Sequence, residues 1–208
     1  MLCAKCRQLN PDNARFCNQC GAPLAPSEAP QLRRLTVMFC DLVGSVQLAS
    51  QLDPEDWHAL LGAYQAAAGE AIRRQHGHVA QHLGDGLVAY FGYPVASEDD
   101  AVRAVQAALD VVRDVSALAV PGAGAMLRVR VGLHTGTTVM GQVGGNAGEY
   151  LAMGDTPNTA ARIQAAAAPD SVVISPATRT LVDARVRCTD LGEHSLKGLA
   201  APMHLYQV

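Results

Sequence analysis

The stretch LTVMFCDLVGS, residues 35–45, decides how the rest of the chain is read. Its first seven residues are apolar or β-favouring and read as a buried strand over 35–41. That strand ends on a lone acid, Asp41. A carboxylate among apolar neighbours loses hydration, and unpaired it would cost several kcal/mol, so Asp41 calls for a partner.

Working outward, short strands alternate with helical patterns from Arg33 onward, which favours an α/β or α+β sandwich. Asp53 can cap a helix with Pro54 at its first position, and Trp57, Leu60, Leu61, Tyr64, Ala68, Ala71 and Ile72 follow helical spacing up to Gly77. HVAQHLGDGLVAYFG (78–92) reads as a hairpin closed by a tight Asp-Gly turn. Ser97 opens another helix, with Asp100 three residues on as a capping-box variant. MLRVRVGLHTGTTVMGQVG reads as a long strand broken by glycines, followed by a short strand EYLAMG. TPNTAARIQAAAA then reads as a helix capped by Thr156, and SVVIS, a short helix near 177–183 and strands around 186–191 and 203–208 close the domain.

The partner for Asp41 is a second acid. Asp85 sits at the hairpin tip between Gly84 and Gly86, and two glycines let the backbone approach a ligand closely. With the hairpin beside the first strand, the two carboxylates face each other at one end of the sheet. They repel unless they share a proton or a divalent cation, and hard oxygen ligands suit magnesium or manganese. Taken singly, Asp41 also fits a helix cap and Asp85 an ordinary type I′ turn residue. In TPNTAARIQ, Asn158 and Arg162 lie four apart and share a helix face lined with alanines. An amide and a guanidinium there fit either a surface hydrogen-bonded pair or a phosphoryl-transfer site.

Composition narrows the class. At 49% hydrophobic and 17% charged residues the 208-residue chain is globular, and a net charge of −3 is too near neutral for electrostatic capture of nucleic acid or an anionic membrane. The start, MLCAKCRQLN, lacks the apolar core of a signal peptide, and the longest uncharged run, Val115 to Leu127, is too short to span a bilayer. A cytoplasmic location with no membrane partner is expected.

Four of the six cysteines, Cys3, Cys6, Cys17 and Cys20, form two CxxC pairs ten residues apart, which suits tetrahedral zinc. Residues 1–24 are read as a zinc ribbon whose metal supplies most of its folding free energy, 25–32 as a Pro- and Ala-rich linker, and 33–208 as the main domain. A protein contact suits the ribbon better than nucleic acid.

FCDLVGS, HLGDGLVAYFG, VRVGLHTG and MGDTPNTAARIQ, in that order, resemble the class III nucleotidyl cyclase catalytic domain across residues 33–208. The branch most resembled is that of bacterial adenylate cyclases carrying an N-terminal zinc ribbon. The resemblance implies an α+β fold with a ferredoxin-like βαββαβ core and extra strands. It implies that Asp41, Asp85 and the backbone carbonyl of Leu42 bind two Mg2+ or Mn2+ ions. The turn through Gly44 and Ser45 would receive the triphosphate, Asn158 would orient the ribose, Arg162 would stabilise the pentavalent phosphorus, and Lys197 would reach the terminal phosphates. The family's sites lie across a homodimer interface, with acids from one copy and the Asn/Arg helix from the other.

Two positions that select the purine, expected one on each side of that interface, carry Gln81 and Leu151. Neither is the usual residue: a glutamine amide can serve either purine, and a leucine side chain offers no hydrogen bond. His134, in GLHTG, is expected to be a packed or hydrogen-bonded structural histidine. The expectation is an adenylate cyclase converting ATP to cyclic AMP. A guanylate cyclase and a non-catalytic nucleotide-binding, dimerising module stand as alternatives. The GG(D/E)EF turn of diguanylate cyclases is absent, LGDGL standing at the hairpin instead.

Overall fold

A computed structural model describes residues 3, 5–11, 14, 16–22, 30–122, 124–143 and 149–208. Residues 25–29 of the expected linker lie outside that set. The elements are β1 (Gln31–Leu42), α1 (Ser45–Gln51), α2 (Pro54–Arg74), β2 (His78–Leu83), β3 (Gly86–Phe91), α3 (Asp100–Val115), β4 (Val129–Val143), β5 (Glu149–Met153), α4 (Asp155–Ala166), β6 (Ser171–Ile174), α5 (Pro176–Val182), β7 (Thr189–His194) and β8 (Met203–Gln207).

The sheet runs β2-β3-β1-β4-β6-β8-β7, with β5 added to β4. Its first four strands and their helices make the expected βαββαβ core, in the spatial order β4-β1-β3-β2. The far side of β4 is shared: β6 pairs with Arg130–Leu133 and β5 with Val139–Val143.

Alternation along β1 assigns the two faces. Met38, Cys40 and Leu42 join Tyr64 and Ile72 of α2 and Val105 and Val111 of α3 in the main core. Leu35 and Val37 point the other way, into a smaller cluster with Val88, Tyr90, Met140 and Ala160, which α4 and β5 cover. The backbone N–H of Ala152 donates to the Tyr90 hydroxyl at 3.1 Å, fixing β5 over β3. Asp41 continues the odd-numbered row, so it emerges on the α4 side.

Four local readings change. The glycines of β4 do not break it; they are where other elements land. A Cβ at Gly132 would stand 2.2 Å from the backbone nitrogen of Gln164, and one at Gly136 would stand 2.6 Å from Thr156 Oγ1. Helix α4 starts at Asp155 behind Gly154 (φ 115°), and Thr156 is no cap: its hydroxyl donates to the Thr137 carbonyl at 2.8 Å, pinning the helix to β4. Helix α3 starts at Asp100 instead of Ser97, yet Asp100 Oδ2 accepts the Ser97 N–H at 2.8 Å, keeping half of the capping box. The hairpin closes through Gly84-Asp85, one residue earlier than an Asp-Gly turn: Leu83 pairs with Gly86, and Gly84 takes φ 69°. Glycine at the first central position is the type II′ pattern. Among the described residues no helix is long and apolar enough to cross a membrane.

Candidate active site

Both acids lie at one end of the sheet. Asp41 stands opposite Gly86 on β3, the residue directly after Asp85. The Leu42 N–H donates to the Asp85 carbonyl at 3.3 Å, tying the hairpin tip to the end of β1. Gly86 keeps the gap open, since a Cβ there would sit 3.3 Å from Asp41 Oδ1. The Leu42 side chain is buried in the core, which leaves only its backbone for a ligand role. Burial, and then the charge of Asp85, push the Asp41 carboxyl above its ordinary value; Arg130 and the Gln164 amide pull the other way. Two carboxylates so placed fit a hard divalent cation.

Arg130 is a site residue that local sequence reading missed. It faces Asp41 across the β1–β4 register, with Nη2 3.8 Å from Oδ2. Strands almost a hundred residues apart in sequence bring them together, so no nearby pattern announces the pair; only alternation inside VRVGLHTG could have put Arg130 on the face of Gly132.

Asn158 and Arg162 are exposed on α4, with no hydrogen bond or ion pair among the described residues. Gln164 is buried beneath the same helix, close to Asp41. Two residues along a helix rotate the side chain by about 200°, so Arg162 points away from the acids of its own chain. Lys197 is exposed beside Leu196, which is buried against Ile163 of α4. The amide and the guanidinium therefore share the exposed face of α4, and Lys197 follows a residue that packs on the buried face of the same helix.

Gln81 and Leu151 are both half-buried. The register of β2 shifts by one residue between Val79 and Gln81, which leaves Gln81 opposite Val88 and turns it to the α4 side. Strands β2 and β5 lie against each other within one chain, so these two positions sit on the same side of any interface, not on opposite sides. Gly44 has φ 71° and leads into α1, whose first residue, Ser45, is buried. His134 Nδ1 lies 2.8 Å from Ser175 Oγ, and burial pushes the imidazole below its ordinary value, as a hydrogen-bonded structural histidine should behave.

At the other end of the chain, Cys3, Cys6, Cys17 and Cys20 bring four sulfurs within 4.8 Å of one another, and none is disulfide-bonded. The Cys3–Cys20 and Cys6–Cys17 sulfur separations are 3.7 and 3.5 Å. A tetrahedral zinc with Zn–S of about 2.3 Å has edges of about 3.8 Å, so the cluster fits that ion. Asn10 Nδ2 and the Gln19 N–H both donate to the Cys17 sulfur, as thiolate ligands require.

Residues 27–208 match the family described as the adenylate and guanylate cyclase catalytic domain, and residues 2–24 match the zinc-ribbon domain. Adenylate cyclase 1 of Rhizobium meliloti (strain 1021) is 31% identical over 182 residues, covering 85% of this chain and 27% of that protein. The adenylyl cyclase CyaB from P. aeruginosa superposes with a TM-score of 0.83 at 28% identity, covering 86% of this chain and 95% of that one. The guanylyl cyclase Cya2 superposes at 0.77 and 27% identity, covering 86% and 93%. The first two curated relatives are spanned over only 17% and 27% of their length. With its acids, its amide–arginine helix and its sheet order in place, the chain belongs to the adenylate and guanylate cyclase catalytic-domain family and carries a zinc-ribbon segment in front of that domain.

Proposed function

We propose that two copies of the chain form a homodimer that converts ATP to 3′,5′-cyclic AMP and pyrophosphate at sites shared between them. The observation that carries this reading is the disposition of Arg162, exposed, without a partner among the described residues, and two residues along α4 from Gln164, which seats on β4. A twofold partner can bring its Arg162 to Asp41 and Asp85, and no contact among the described residues of one chain does.

In the reaction the ribose 3′-oxygen forms a bond to the α-phosphorus while the bond from that phosphorus to the α,β-bridging oxygen breaks. Pyrophosphate leaves with the electron pair, and the 3′-hydroxyl proton passes to water. Asp41, Asp85 and the Leu42 carbonyl would hold Mg2+ or Mn2+, which when bound lowers the hydroxyl pKa and neutralises charge on the phosphates. Arg162 from the other copy places its charge on the oxygens of the transferring group, and Asn158 holds the ribose in line. Backbone N–H groups at Gly44–Ser45, with Lys197 and Arg130, take the terminal phosphates.

ATP is the favoured nucleotide because the motifs resemble the adenylate branch and no acid stands at position 81 or cysteine at 151. Leu151 supplies no side-chain hydrogen bond, so discrimination against GTP is expected to be weak. The ribbon binds Zn2+ structurally and serves a protein contact, the cyclase domain begins near residue 33, and the chain works in the cytoplasm.

The test mixes Asp41→Ala and Arg162→Ala chains, each inactive alone. Random exchange makes half the dimers mixed with one intact site each, so about a quarter of wild-type activity should return. Product is identified by mass from ATP and, separately, GTP with manganese. No recovery at any ratio would leave a binding module in place of an enzyme.

A further inference from the structure

Two neighbouring residues of α2 each reach the residue that stands immediately before one of the acids. Tyr64 is fully buried in the main core, and its hydroxyl donates to Cys40 Sγ at 3.4 Å. Gln65 is half-buried, and its Nε2 donates to the Gly84 carbonyl at 3.2 Å. Cys40 precedes Asp41 on β1, and Gly84 precedes Asp85 at the hairpin tip.

Neither bond is explained by its own surroundings. A phenylalanine ring would fill the core as Tyr64 does, so the hydroxyl is additional to the packing. A partly exposed glutamine can be satisfied by water, and an exposed bond adds little to stability. Gln65 instead crosses from the helix to a turn, where β2 is the edge of the sheet and the tip has a strand neighbour on one side only.

The contacts close a ring. It runs from Tyr64 to Cys40 and along β1 to Leu42, whose N–H donates to the Asp85 carbonyl at 3.3 Å. From Asp85 it steps back to Gly84 and so to Gln65, beside Tyr64. Both acids lie on that ring. Helix α2 is seated by Leu60, Tyr64, Ala68, Ala71 and Ile72, so its two reaching side chains start from one rigid turn. Like charges held together repel, and in a cation-free chain the cheapest relief is for the hairpin tip to swing away from β1.

We propose that Tyr64 and Gln65 are positioning residues for the metal site: a two-point clamp on α2 that sets the separation of Asp41 and Asp85 before a divalent cation binds. This rests on the metal-binding reading of those two acids. Neither side chain touches cation or nucleotide; each acts through the residue before an acid. A site already held in its bound geometry binds more tightly than one the cation must assemble.

The experiment uses the full zinc-loaded chain and Mn2+ alone as the probe, read by electron paramagnetic resonance, with melting measured in parallel without manganese. Tyr64→Phe removes one hydroxyl, and Gln65→Met keeps the side-chain length and removes one donor. Each should lower Mn2+ affinity about 10-fold, the low end of what losing a group that orients a metal ligand costs. Gln65→Met should melt within about 2 °C of wild type, because its bond is exposed. If Tyr64→Phe does not fold, Cys40→Ala removes the same bond from its other end and is read by the same criterion. Asp41→Ala sets the floor. A wild-type chain that binds Mn2+ no better than that floor overturns the metal reading itself. Wild-type affinity in either clamp variant, with Asp41→Ala at the floor, overturns only the clamp.

Discussion

Gly132→Ala tests whether the seat of α4 sets the activity. A Cβ at residue 132 would stand 2.2 Å from the Gln164 nitrogen, 2.5 Å from its Cα and 2.8 Å from the Ala160 carbonyl oxygen. All three are backbone atoms locked by the helix, so no side chain can swing aside. Restoring ordinary contact near 3.5 Å needs the helix to rise by more than about 1 Å. Overpacking of this kind costs about 1–3 kcal/mol, and at about 2–4 °C per kcal/mol for a chain of this size the midpoint should drop by about 2–12 °C. Since α4 carries Asn158 and Arg162, a displacement near 1 Å should also lower turnover about 100-fold. Gly62→Ala is the control: it lies on α2 with nothing within 4 Å of an added Cβ. That change should add up to about 1 kcal/mol of stability and leave turnover alone. Melting curves and initial rates on both variants read the answer. A Gly132→Ala enzyme that melts within a degree of wild type and keeps its rate would show that this glycine does not seat the helix.

Other consequences follow from the same contacts. His134 has its pKa depressed by burial, so the unfolded chain binds more protons just below pH 6.5, and stability is lost as pH falls through that window towards the folded value; urea melts of His134→Phe against wild type should differ in slope there and run parallel above it. Cys6→Ser should reduce bound zinc, measured by elemental analysis, from one ion per chain to a small fraction, while the melting of the cyclase domain stays put. Gln81→Lys combined with Leu151→Asp supplies base-edge partners that Leu151 lacks, and should raise the ATP/GTP ratio of kcat/KM by about 10–100-fold; an unchanged ratio would remove these two positions from the base pocket.

Local chemistry made part of this molecule legible. Alternation around LTVMFCD placed a buried strand and its terminal acid, and the spacing of Asn158 and Arg162 placed both on one helix face, because strand and helix periods are written in neighbouring residues. The hairpin was legible but its turn slipped by one, since Asp85 has glycine on both sides and either dipeptide closes a tight turn; the backbone chose the one that puts Gly84 at positive φ. Glycines 132, 136 and 141 looked like interruptions because their reason lies in elements that approach from elsewhere in the chain. Thr156 looked like a cap for the same cause: a carbonyl on β4 claims its hydroxyl. Arg130 and Gln164 reach Asp41 only through the register of β1 on β4 and the seat of α4 on Gly132, and neither is written in any short window.

The separation of charges on the surface has a kinetic consequence that needs no variant. Each chain carries Asp41 and Asp85 at the sheet end and exposes Arg162 on α4, so under the shared-site proposal a lone copy holds two half-sites and no whole one. On the proposed arrangement, the rate per chain is proportional to the fraction of chains in dimers. Well above the dimer dissociation constant that fraction is constant and the rate is linear in protein. Well below it, the dimer concentration varies with the square of the chain concentration, so a tenfold dilution should lower the total rate about 100-fold instead of tenfold. Initial rates measured across the dilution range, alongside sedimentation at the same concentrations, should show the two slopes meeting where the dimer falls apart. A rate that stays proportional to protein after sedimentation shows only monomer would place a complete site inside one chain, and the helix geometry argued above for Arg162 would then be wrong.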